Sequence, residues 1–130
     1  REAAKSMVKR AKNGDPGGSL IGVASLAGIE GAARNQAYSA TKGGLSGFAK
    51  SLREEWRGRA EVTIVHPGPT KTAMHEKAGM SLGMARNFFM KPERAAAGIE
   101  KAIRNKDKVR KLGRLYSARA EWAKPKTGAL

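Results

Sequence analysis

Two short apolar runs separated by a long helical stretch constrain this chain more than any other feature. Ser19 to Ser25 (SLIGVAS) shows little polar alternation, as expected of a strand covered on both faces in a parallel sheet. Glu61 to His66 (EVTIVH) reads the same way before Pro67-Gly68 cuts it off. Between them, Tyr38 to Arg57 favours a helix, with Leu45, Phe48, Leu52 and Trp56 at helical spacing and Gly58 as its stop. Strand, long helix and strand with short links make a βαβ unit, whose two strands run parallel. The expected fold class is therefore α/β.

The remainder of the chain extends this unit. Arg1 to Lys12 has helix-forming composition and should end in the turn cluster from Asn13 to Gly18. Ala27 to Gln36 is rich in Gly and Ala and reads as a loop. Pro92-Glu93 is a helix start, with proline in the first turn and an acid at the positive end of the dipole, for a helix to about Asn105. Pro69 to Met90 lacks periodicity but contains Met74, Met80, Met84, Phe88, Phe89 and Met90. A flap over an apolar pocket and ordinary packing both fit it. The last twenty-odd residues give no clear element. At 130 residues, residues 1–130 are expected to form one domain.

Composition narrows the chemistry. There is no cysteine, hence no disulfide and no cysteine nucleophile, and His66 and His75 cannot make a zinc site by themselves. No apolar run approaches the length of a membrane span, and Arg1 to Lys12 lacks the apolar block of a signal peptide, as expected of a soluble cytoplasmic protein. The net charge of +15 makes an anionic partner worth weighing. Its densest source is Lys101 to Arg119, opposed by Asp107 alone. Only Tyr116 and, just beyond, Trp122 could stack on bases there, so a solvated basic face is preferred over a nucleic-acid surface.

The reactive candidates are few. Tyr38 and Lys42, four residues apart near the start of the expected helix, share one face, and an ammonium fixed beside a phenol stabilises the phenolate. In a lysine-rich chain that pair alone is weak evidence. Ser25 strengthens it, because it stands at the carboxyl end of the first apolar strand, where open α/β sheets bind ligands. A hydroxyl there can hydrogen-bond a substrate oxygen while Tyr38 handles the proton.

The segments GGSLIGVASLAG, AYSATKGGLSGFAKSL and VTIVHPGPTKTAM resemble, in order and spacing, the later part of a short-chain dehydrogenase/reductase. The resemblance is close from Gly17 to Met74 and looser from Met90 to Arg104. It implies a Rossmann-like, doubly wound parallel sheet of which this chain supplies the later half, strand-helix-strand plus a C-terminal helix. It also implies NAD or NADP as cofactor and a small-molecule alcohol or carbonyl as substrate. By resemblance, Ser25 polarises the substrate, Tyr38 is the general acid/base, and Lys42 favours the phenolate and holds the nicotinamide ribose. Pro67, Gly68 and Thr72 match a Pro-Gly-x-x-x-Thr turn at the nicotinamide end of the cofactor. The family's long helix after the tyrosine commonly packs against its copy, and Gly43, Gly44 and Gly47 would permit close approach in a homo-oligomer; helix-to-sheet packing is the plainer reading of those glycines.

The departures matter as well. The Gly-x-x-x-Gly-x-Gly turn that seats a pyrophosphate on a helix N-terminus is not in this sequence, and neither is the residue that selects NAD or NADP. The asparagine of the family's proton relay would lie upstream of Arg1, and Asn13 is not in its place. The expectation is the carboxyl-terminal part of a longer enzyme. Two other readings stay open: a basic nucleic-acid-binding protein using Lys101 to Arg119, and a non-catalytic half-domain that folds only with a partner.

Overall fold

The computed structural model describes residues 2–14, 18–33, 35–74 and 89–113. Its elements run α1 (Glu2–Lys12), β1 (Ser19–Val23), α2 (Ala27–Glu30), α3 (Gln36–Glu55), β2 (Glu61–Pro67), α4 (Pro92–Arg104) and β3 (Val109–Leu112). The three strands form one sheet in the order β1-β2-β3. Both pairings are parallel, with Val23 opposite Val65 and Pro67 opposite Leu112. The expected βαβ unit is present, and α4 carries the chain from β2 to a third strand.

The core lies where α3 crosses β2. Ala49, Leu52 and Trp56 of α3 pack with Val62, Ile64 and Ala24, and Leu20, Leu45 and Ala60 close the margin. Side chains alternate along β2, so Thr63 and Val65 point away from this cluster. They are buried as well, which covers the central strand on both faces. Burying a side chain as large as Trp56 contributes about 2–3 kcal/mol. The stripe on α3 runs through Leu45, Ala49, Leu52 and Trp56; Phe48, expected on it, sits on the flank and is 58% exposed. Gly58 ends this helical stretch as expected, at φ 76°, a left-handed conformation that costs glycine little.

Three expectations need correction, and one element is new. β1 is not covered on both faces: Leu20 to Gly22 are half-buried and Ser19 and Val23 are exposed, because β1 is the outer strand of the described sheet. It also ends at Val23, leaving Ser25 in the following turn. The stretch read as a loop after Ser25 contains the single-turn helix α2, whose Gly31 N–H donates to the Ala27 carbonyl at 3.0 Å. The new element is β3. Its sequence, VRKL, is short and half cationic, and its residues alternate between exposed and half-buried, as suits an edge strand. Of the Met- and Phe-rich stretch, residues 75–88 lie outside the described residues. The base of that stretch is closed by a parallel bridge between Thr70 and Met90.

Candidate active site

Parallel pairing with β2 continues past Val23 into the turn that carries Ser25. The Ala24 N–H donates to the Val65 carbonyl at 2.8 Å, and the Leu26 N–H donates to the Pro67 carbonyl at 3.0 Å. Ser25 is half-buried between them, at the carboxyl end of the sheet. Its Oγ accepts the Ala27 N–H at 3.2 Å. A hydroxyl that accepts there still has its own proton to donate elsewhere. The Ser25 carbonyl accepts the Gly28 N–H at 3.0 Å, and His66 Nδ1 approaches the same oxygen at 3.1 Å.

Tyr38 sits in the first turn of α3, where unpaired backbone N–H groups give the helix its positive end. Lys42 follows one turn later. Its Nζ lies 5.8 Å from the centre of the Tyr38 ring and donates to the Val23 carbonyl at 3.2 Å. That bond ties the Tyr38–Lys42 pair to the last residue of β1, two residues before Ser25. A second contact holds the same elements together. A Cβ on Gly28 would fall 2.5 Å from the Lys42 carbonyl carbon, and one on Gly43 would fall 3.0 Å from the Gly28 oxygen. Glycine at both positions lets α2 lie directly on α3 beside Lys42. Gly43 therefore serves packing within the chain, while Gly44 and Gly47 face open space.

The Pro67-Gly68-Thr72 turn lies at the same end of the sheet. The Gly68 N–H is already engaged, donating to the Leu112 carbonyl at 2.7 Å, and the Gly68 carbonyl accepts Thr70 Oγ1 at 3.0 Å. Thr72 is exposed. Two participants escaped the sequence reading. Gly28 was hidden in a stretch read as loop, although a glycine between two apolar residues after a strand is itself a sign of close approach. Composition brings in His66 only as a candidate metal ligand, and its contact with Ser25 has no local sequence signal.

The basic residues occupy other ground. A cleft of about 760 Å³ at the amino end of the sheet is lined by Lys50, Arg53, Arg57, Arg59 and Lys108, with Glu54 and Glu61 among them. In the run from Lys101, Arg104 pairs with Glu100 and Arg110 with Asp107. Residues 114–130, with Tyr116 and Trp122, lie outside the described residues. Among the described residues, no helix is long and apolar enough to cross a membrane.

A parallel sheet with helices packed on it and its candidate side chains gathered at its carboxyl end has the form of an open α/β ligand-binding fold. The match to the family described as short chain dehydrogenase spans residues 1–82, and this chain belongs to that family. It is 38% identical over 91 residues to a mouse 3-oxoacyl-[acyl-carrier-protein] reductase, covering 64% of this chain and 36% of the relative. It is 48% identical over 58 residues to an uncharacterized oxidoreductase of Myxococcus xanthus, covering 44% and 23%. The chain thus spans about a third or less of the length of these relatives. Among solved structures, a short-chain dehydrogenase from Sphingobium yanoikuyae in complex with NADPH superposes with a TM-score of 0.72 at 19% identity, covering 90% of this chain and 45% of that one. A Brucella melitensis 3-ketoacyl-(acyl-carrier-protein) reductase complexed with NADH gives 0.66 at 18% identity, covering 87% and 48%. These likenesses establish the fold as the Rossmann type.

Proposed function

We propose that the whole protein is an NAD(P)-dependent oxidoreductase that moves a hydride between the nicotinamide and a carbonyl or secondary alcohol, and that these residues form the later half of its nucleotide-binding domain. The observation that carries this reading is the Lys42 bond to the Val23 carbonyl, which holds an ammonium beside Tyr38 at the strand end leading to Ser25. The donor set suits a nicotinamide nucleotide: Lys42 and Tyr38 would hold its ribose, with Pro67, Gly68 and Thr72 along the nicotinamide. Because the Gly68 N–H is occupied, the contribution at that position comes from the shape of the backbone and from the Thr72 hydroxyl. The cofactor, when bound, supplies or accepts the hydride.

The remaining chemistry belongs to the side chains. The Ser25 hydroxyl, its oxygen already accepting from Ala27, donates to the substrate oxygen and polarises the carbonyl. In the reductive direction Tyr38 Oη gives its proton to the oxygen that becomes the alcohol; in the oxidative direction it takes that proton back. Lys42 and the amino end of α3 stabilise the phenolate left behind. The names of the relatives favour a 3-oxoacyl thioester as the first carbonyl to try. The open face of α3, with Gly44, Gly47 and exposed Phe48, supports pairing with a second copy.

The test is Tyr38→Phe in the full-length protein. Turnover should fall by about 10²- to 10⁴-fold, the usual worth of a positioned acid/base, while NADH or NADPH still binds. Turnover equal to wild type would end the role given to Tyr38.

A further inference from the structure

We infer that His66 is a positioning residue that holds the Ser25 turn in its working conformation, an inference that rests on the role proposed above for Ser25. The reasoning starts from Pro67. With Val23 opposite Val65, the continuing register sets Ala24 opposite His66. In a parallel ladder the Ala24 carbonyl would accept the N–H of the residue after His66. That residue is Pro67, which has no N–H. Past Val23, backbone pairing therefore ties the turn to β2 through the turn's donors alone, Ala24 N–H and Leu26 N–H.

The His66 side chain restores a bond from the β2 side. Its Nδ1 is 3.1 Å from the Ser25 carbonyl oxygen, and the residue is 2% exposed. A carbonyl only accepts, so Nδ1 carries a proton and donates it. A buried imidazole keeps such a bond, because leaving its polar nitrogen unpaired is costly. The carbonyl it holds also accepts from Gly28, and Ser25 Oγ accepts from Ala27. Backbone, hydroxyl and imidazole together leave Ser25 Oγ a narrow range of positions. His66 does not touch substrate; it acts through Ser25.

Two variants and two spectroscopic readouts test this. In the full-length protein, His66→Ala should lower kcat about 100-fold, the scale of a misplaced reacting group, with the affinity for NADH or NADPH unchanged. His66→Asn, whose amide N–H can reach the same oxygen, should recover most of that loss. In the same full-length protein, a ¹⁵N–¹H spectrum of the ring should show Nδ1 protonated, and His66→Ala should speed exchange of the Ala27 amide while the Ile64 amide, paired to the Lys108 carbonyl within the sheet, stays protected. A proton on Nε2 with Nδ1 bare would overturn the inference. So would wild-type kcat and unchanged Ala27 exchange in His66→Ala. If His66→Ala does not fold, the His66→Asn rates and the ring spectrum decide. If Ser25→Ala and Tyr38→Phe keep full turnover, the oxidoreductase reading fails, while the ring proton and Ala27 exchange still decide on the bond made by His66.

Discussion

At the carboxyl end of the sheet, Lys42 and His66 are each held by a bond to a neighbouring strand or turn and Ser25 by one within its own turn; at the amino end, Lys50, Arg57 and Arg59 reach into solvent from the rim of a cleft. The second region has more charge, and the first has more fixed geometry. Arg53, also in the cleft, is anchored to backbone: it donates Nε to the Val62 carbonyl at 2.9 Å and Nη2 to the Lys108 carbonyl, joining the start of β2 to the approach to β3. It acts as a staple. Arg57 is paired with Glu54 on the same helical surface. Charge density marks a solvated face here, and the proposed site lies where side chains are directed by backbone.

The contrast can be broken by variants at either end. The largest effect after Tyr38→Phe is expected from Gly28→Ala. Its methyl would meet the Lys42–Gly43 backbone, which cannot swing away as a side chain does, so α2 must lift from α3. A loss of about 1–3 kcal/mol of stability is expected, read from denaturant unfolding, together with reduced turnover as Lys42 shifts from Val23. A fully stable and active Gly28→Ala would show that this contact does not hold the site. Next comes Arg53→Met, which keeps the aliphatic stem and removes the two bonds to carbonyls. About 1–3 kcal/mol should be lost with kcat unchanged for the protein that remains folded, separating the staple from the site. Smallest is the double reversal Lys50→Glu with Arg59→Glu. Exposed and away from the proposed site, it should leave turnover at wild-type level and stability within about 0.5 kcal/mol. A large fall in turnover would make the cleft part of the working enzyme.

Legibility in the sequence followed the range of the interactions. β2 was readable because both its faces are buried, and α3 because its apolar stripe repeats every turn. Tyr38 and Lys42 were readable as a pair because helical spacing alone brings them together. The edge strands were harder. β1 has an apolar sequence yet lies half-exposed at the sheet margin, and β3 carries two cations in four residues. The contact between His66 and the Ser25 carbonyl spans 41 residues and depends on register and on the proline that follows the histidine. No local pattern encodes it. Gly28 likewise acquires meaning only when α3 is laid against it.

In the function proposed, a hydride reaches the substrate carbon while Tyr38 manages the proton. Incubating the full-length protein with a 3-oxoacyl thioester and nicotinamide nucleotide deuterated at its hydride-donating carbon tests this most directly. Deuterium is expected on the carbinol carbon of the product, and labelled product should all but disappear in Tyr38→Phe. Product without deuterium at that carbon, or equal labelled product from Tyr38→Phe, would contradict it.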